Sequence, residues 1–392
     1  MRVATATRPL LPLAAVTAGL ASGSSLAAEW TFSPSADLST QTQQNPYLST
    51  EKDKQHEVSN GLAAVASFGI QRRTERSTFV VQPMVRGYRY DDDNNLDRDE
   101  QNLALSYEWQ GEEVSWRTTA NAARDTTLTS ELGNTGLTQG NQRHEAYQVS
   151  IQPTWNLTER WQLQGSVGSQ EDRYPNHSFG LEDYRYSTVL LSTAYALSEK
   201  LALSFYGTGG RLDSEGQGSN STDTSANIQV QYTWSPLTAI SASVGPSWVK
   251  TEVGREQGLR YRLAASRALE KGAVSFSMGR RQSPSGRALL TQLDEASLNY
   301  ALQITERLSA TAAATYTKRR NVLRVAGIDL ERVRYARTDL GLTWRMASNW
   351  KLGFNVGAGL QQIGSAFFND ELTGRGYDAR LGLSWNGDPY VR

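Results

Sequence analysis

Residues 143–167 read RHEAYQVSIQPTWNLTERWQLQGSV, and the fold turns on this stretch. Tyr147, Val149, Ile151, Pro153 and Trp155 occupy alternate positions, with Gln148, Ser150, Gln152 and Thr154 between them. After Asn156–Arg160 the alternation resumes. Trp161, Leu163, Gly165 and Val167 then share one parity, and Gln162, Gln164 and Ser166 the other. Successive strand side chains point to opposite faces, so the stretch is a hairpin with one apolar face and one face of amides and hydroxyls. Strands of about 10 residues cross a bilayer when tilted. A Trp on each side of the short turn falls where an aromatic girdle meets the headgroups. A soluble sandwich hairpin with its polar face in water shows the same alternation, so the choice rests on the remainder of the chain.

Outward from that hairpin the pattern repeats. Alternating runs extend from Trp30 to Trp385 and make about 18 candidate strands. After the first run, tight turns and long polar loops take turns between them. Three tight turns resemble one another: Asn156–Arg160, Ala196–Lys200 and Gln303–Arg307. Short turns on one side and long loops on the other belong to an outer-membrane barrel, and closure removes the edges that an open sheet of this size would expose. The expected fold is all-β, a transmembrane antiparallel up-and-down β-barrel of about 18 strands. Trp109 and Trp116, Trp155 and Trp161, and Trp344 and Trp350 flank three of the tight turns as a girdle, with Trp234 beside a fourth. Trp248 falls near the long-loop end, in the outer belt.

Composition and address agree with export. The 392 residues carry no net formal charge and no cysteine, which excludes disulfides, a thiolate nucleophile and a Cys-ligated metal. Residues 1–28 read as a cleaved signal peptide. Arg2 and Arg8 precede an apolar run from about Leu10 to Leu20, and small residues lead to Ala28. Residues 29–392 are then the barrel domain, and the expected address is the Gram-negative outer membrane.

Parity also assigns a lumen. Gln148, Gln152, Gln162, Gln164, Asn227, Gln229, Gln231, Thr233 and Asn355 face inward, a lining that suits water and sugars. Charge is unevenly spread. Residues 28–220 hold 26 acidic and 16 basic residues, and residues 221–392 hold 14 and 22. Sequence order is position around a barrel wall, so an acidic wall is expected opposite a basic one. Arg260, Arg262, Arg337 and Arg345 have inward parity on the basic side, and Glu108, Asp125 and Asp172 on the acidic side. Such a transverse field orients dipolar solutes and filters ions. In the other reading most of the charge belongs to extracellular loops, where Arg319, Arg320, Arg324, Arg332 and Arg334 are placed to meet lipopolysaccharide phosphate or anionic glycan.

Enzyme readings find little support. The chain has three histidines, His56, His144 and His177, all in or near expected loops, and only His144 approaches a carboxylate, Asp125. No phosphate-binding glycine loop or metal constellation is present in the sequence, so no catalytic residue, metal or cofactor is expected. Nor do the basic residues form a nucleic-acid-binding domain.

The block Ala123–Leu132 followed by Asn134-Thr135-Gly136, with the turn ending Ser150–Arg160, resembles a family of Gram-negative outer-membrane β-barrels. These are porin-like proteins often linked to exopolysaccharide production. The resemblance implies an outer-membrane barrel that passes solutes or glycan and has no catalytic residues. Outer-membrane lipid and lipopolysaccharide, a hydrophilic solute or polysaccharide, and envelope export partners are its expected company. The chain departs from such barrels at its end, Tyr390-Val391-Arg392, where an aromatic residue is usual. Trp385 and Tyr390 are the candidates to replace it.

Overall fold

The computed structural model describes residues 28–392 apart from 92–94, 136–139, 177–179, 215–219, 253, 322–330 and 366–367. Residues 1–27, which make up the expected signal peptide but for Ala28, lie outside the described residues, as do His177 and Arg324.

Eighteen long strands run in chain order. They are β1 (Glu29–Gln44), β2 (Val58–Arg73), β3 (Ser77–Tyr90), β4 (Arg98–Gln110), β5 (Val114–Thr126), β6 (Arg143–Asn156), β7 (Trp161–Arg173), β8 (Tyr184–Ala196) and β9 (Leu201–Ser214). The second half comprises β10 (Ser221–Ser235), β11 (Thr238–Thr251), β12 (Arg255–Leu269), β13 (Gly272–Pro284), β14 (Leu290–Gln303), β15 (Leu308–Asn321), β16 (Glu331–Arg345), β17 (Trp350–Ser365) and β18 (Phe368–Asn386). Each pairs antiparallel with its neighbours in sequence, and β1 pairs with β18, so the sheet closes on itself. The expected barrel is the observed one. At the seam ten register pairs run from Ser35↔Asn386 to Gln44↔Tyr377. A two-residue strand, β19 (Tyr390–Val391), continues the seam along the start of β1. There Tyr390 packs on Phe32 at 6.2 Å between ring centroids.

The strands are longer than a membrane requires. The surplus lies at the long-loop end, and it corrects the placement of four arginines. Arg319 and Arg320 belong to β15, and Arg332 and Arg334 to β16, not to loops. Arg319 is buried. Alternation persists past the apolar belt because register pairing, not hydrophobicity, continues the ladder there.

Apolar side chains are distributed inside out. Val149, Ile151, Val167, Val189, Leu191, Phe205, Val230, Leu340 and Phe354 all project from the outer face and are exposed. A contiguous exposed apolar band of this extent is a membrane surface. No described helix is long and apolar enough to cross a membrane. The crossing is made by strands, whose backbone groups are satisfied only between neighbours in a closed sheet.

The buried apolar residues gather at the long-loop end, within the barrel. One cluster joins Ala63, Tyr88, Tyr90, Leu96 and Leu128. The other joins Tyr174, Leu181, Tyr184, Leu212, Val249, Ala288 and Leu290. Leu128 belongs to a helix, α1 (Thr127–Thr135), within residues 126–142, which by their Gly, Thr and Asn content read as a long loop.

Candidate pore lumen and its loop layer

The long connections that the structure describes fold inward. Between β1 and β2 the chain turns with Asn45 and Leu48 in the left-handed region, at φ of 49° and 50°. Leu48 enters the barrel against the inner wall of β17 and β18. A Cβ added to Gly374 would lie 1.9 Å from the Leu48 carbonyl oxygen, and one on Gly376 2.7 Å from Leu48 Cδ2. Only glycine permits this approach, so a bare strip of wall receives the loop. Asn45 fastens it by donating from Nδ2 to the Arg375 carbonyl at 2.9 Å.

Helix α1 is fastened on two sides. Thr129 donates to Glu100 of β4, and the Tyr174 hydroxyl donates to Glu131 Oε1 at 2.7 Å. Burial, and then the Glu131 charge, push the Tyr174 hydroxyl far above the ordinary tyrosine value, so it remains a donor. The turn between β13 and β14 meets the same point. A Cβ on Gly286 would lie 2.9 Å from both Leu181 and the Tyr174 hydroxyl and 3.0 Å from Glu131. Ala288 in this turn is buried and takes φ of 50°, a conformation that costs a non-glycine residue about 1–2 kcal/mol. Segments from distant strands therefore meet within the lumen and form a layer across its long-loop mouth.

Below that layer the inner wall consists mostly of small polar groups. Ser39, Ser225, Asn227, Ser243 and Ser247 are buried against their neighbours. Hydroxyl pairs link adjacent strands, as between Thr119 and Ser150 (2.8 Å), Thr208 and Ser225 (2.7 Å), and Ser277 and Ser297 (2.8 Å).

The inward arginines differ in their company. Arg260 donates from Nη2 to Asp223 at 2.8 Å and from Nη1 to Thr208 and Ser225 at 2.7 and 3.2 Å. Asp223 also accepts the Tyr186 hydroxyl at 2.6 Å. Arg337 bonds Asp339 at 2.9 Å and Asp378 at 2.8 Å. Arg262 is exposed on the inner wall. Arg345 is exposed at the short-turn end, in register with Lys351. Two of the four expected wall arginines thus bring their own counter-charges, and two face open lumen. On the acidic side Glu108 is ion-paired with Arg117. Asp125 and Asp172 grip one histidine, with His144 Nδ1 2.7 Å from Asp125 and Nε2 2.8 Å from Asp172.

His144 is buried and packs against the Tyr174 ring, tilted to it, at 4.9 Å between ring centroids. Two carboxylate acceptors call for a donor at each ring nitrogen, which is the imidazolium form. Neither nitrogen is left to take a proton from a solute. The group ties β5, β6 and β7 together beneath the loop layer. Among the described residues no cluster of His, Asp and Glu is arranged to hold a metal ion.

The girdle tryptophans lie on the outer face beside short turns. Trp109 and Trp116 stack at 4.8 Å, and Trp161 meets Tyr195 edge-on at 5.7 Å. Trp344 and Trp350 are exposed and flank the β16–β17 turn, and Trp155 is partly exposed at the end of β6. Trp248 lies toward the long-loop end of β11, also outward.

Sequence reasoning passed over Asp223, Asp339 and Asp378. Their parity was legible, since Asp223 alternates with Asn227 and Gln229 and lies on the face assigned to the lumen. Charge counted over half-chains hid these local pairs. Glu131 and Tyr174 gave no signal, because their meeting depends on how two loops fold.

The family described as "Putative outer membrane beta-barrel porin, MtrB/PioB" matches residues 142–239. No curated protein matches the chain. Among solved structures, the chain is similar to OccAB4 of Acinetobacter baumannii, with a TM-score of 0.49, 9% identity, and coverage of 93% of this chain and 98% of that one. It is also similar to the FrpB iron transporter of Neisseria meningitidis, with a TM-score of 0.45, 9% identity, and coverage of 90% and 81%. A further similarity is to the siderophore receptor PirA of Pseudomonas aeruginosa, with a TM-score of 0.42, 12% identity, and coverage of 91% and 80%.

Proposed function

We propose that the chain is an outer-membrane β-barrel that acts as a passive pore for small hydrophilic solutes, saccharides included. The observation that supports this reading is the inner wall. Hydroxyls, amides and glycines line it from the short-turn mouth to the loop layer, and Arg262, Arg345 and Lys351 give it a local cationic bias. Barrels of 16–18 strands leave an aqueous channel unless something fills it. The loop layer narrows this channel at one end and restricts passage to small solutes. The test is conductance of the purified barrel in planar bilayers, with reversal potentials across a salt gradient. Discrete conductance steps that saccharides reduce support the pore, and an insulating barrel refutes it.

The loop layer itself favours a second reading. A barrel closed at its long-loop mouth would serve as a structural or surface-interaction partner of an exopolysaccharide system, with glycan held outside and not passed through. In that case conductance is absent, and polysaccharide binds to cells that display the barrel.

A further inference from the structure

On the outer face, just beyond the apolar band, the strand ends carry a ladder of charge in register. Arg124 pairs with Glu145, Glu145 with Arg173, Glu171 with Arg185, and Arg185 with Asp213. Arg211 pairs with Thr222, Thr222 with Lys250, and Lys250 with Arg255. With Arg143 beside Glu145, the outer ends of β5 to β12 present seven cations against three carboxylates. The carboxylates are used up locally. Glu171 accepts from both Arg173 and Arg185, and Asp213 from Arg211.

Lys250 and Arg255 have no carboxylate partner among the described residues, although they stand directly opposite each other. Like charges at such a cross-strand pair are destabilising, and an anion seated between them reverses the sign. A groove runs below the ladder into the apolar band. Its volume is about 750 Å³, its floor is Val149, Ile151, Val167, Val189 and Gly209, and Arg211 stands at its charged end. It exists because Gly209 and Thr224 put small side chains where neighbouring outward positions carry Val, Ile and Phe.

We propose that this surface binds a phosphorylated lipid of the outer leaflet. One acyl chain lies in the Val149–Gly209 groove, and the phosphate is held by Arg211, Lys250 and Arg255. The order of chemistries along the strands supports one amphiphile and not a free anion: Arg211 lines the groove, Lys250 and Arg255 continue its row beside Thr222, and below them small residues (Ser169, Ser187, Gly209 and Thr224) lead into an apolar trough at bilayer depth. The site depends on the barrel crossing a membrane and not on whether it conducts.

The test titrates the folded full-length barrel in detergent with bisphosphorylated lipid A, its dephosphorylated counterpart and inorganic phosphate, and reads retained lipid by native mass spectrometry. Bisphosphorylated lipid is expected to bind at least about tenfold more tightly than the dephosphorylated form, the scale of one charge-assisted contact. Lys250→Gln with Arg255→Gln should remove about that factor. Gly209→Leu, which fills the groove, should weaken both lipids. If its Cβ, 3.2 Å from Val189 Cγ1, prevents folding, the paired charge variant still decides the matter. Lumenal Arg262→Gln should leave retention unchanged. Equal retention of the two lipids, parental binding by the charge variant, or full displacement by inorganic phosphate would overturn the site.

Discussion

At Ile151, Val230 and Phe354 a single step along the strand separates lipid from lumen. Arginine at any of the three places a cation on the outer band, where it costs roughly 2–4 kcal/mol at bilayer midplane. Arginine at the adjacent Gln152, Gln229 or Asn355 faces water and small polar groups and should fold nearly as well as the parent. Heat-modifiable gel mobility after refolding compares the two sets, and equal loss in both would refute the facing. A different asymmetry holds within the lumen. Arg260→Gln removes the cation from Asp223, which is almost wholly buried, and should destabilise the barrel by about 3–5 kcal/mol, as expected when one partner of a buried pair is lost. Arg262→Gln breaks no ion pair among the described residues and should leave the urea midpoint within a few tenths of a molar of the parent. Two arginines that share a strand and a parity therefore differ in their company: Arg260 ties β12 to β9, β10 and β13, and Arg262 has no ion-pair partner among the described residues.

The loop layer is the element on which the pore reading turns. Leu128 ties α1 to Tyr88, Tyr90 and Leu96. Leu128→Asp would set a carboxylate among them at an effective cost of several kcal/mol, more than a short segment held by a few local contacts can sustain. The expected outcome is a barrel of unchanged heat-modifiable mobility and higher single-channel conductance. Unchanged conductance would mean that the layer does not set the narrowest section. The strands were legible in the sequence because a period of two and a recurring Thr-Glu-Arg turn need no knowledge of tertiary structure. The layer was not. Its contacts join segments separated by tens to hundreds of residues, such as Glu131 with Tyr174 and Leu48 with Gly374. Helix α1 is short, and its Thr-Leu-Thr-Ser-Glu run has no apolar stripe that marks a helix in isolation. The carboxylates that pair with Arg260 and Arg337 were readable by parity but not by charge totals.

For the whole molecule, the proposed pore would take its selectivity from the charges that remain uncompensated. With Arg260 and Arg337 paired, the double variant Arg262→Gln with Arg345→Gln should shift reversal potentials toward cations, most clearly at low salt where screening is weak. Unchanged selectivity with conductance retained would reject a selectivity role for Arg262 and Arg345. The seam has a separate consequence, in kinetics. Every other ladder joins strands adjacent in the chain, whereas Arg380 reaches Asp37 across 343 residues. Chain-entropy scaling makes a loop ten times longer cost only about 2 kcal/mol more to close, which is small beside ten register pairs and their ion pair. The burden falls on the rate, because contacts of high sequence separation must wait for the intervening hairpins. A circular permutant with Glu29 linked to Arg392 and the chain opened within Ser198–Lys200 should reach the same barrel. Its slow refolding phase would then report the pairing of β8 with β9, and the former seam would become one more fast hairpin.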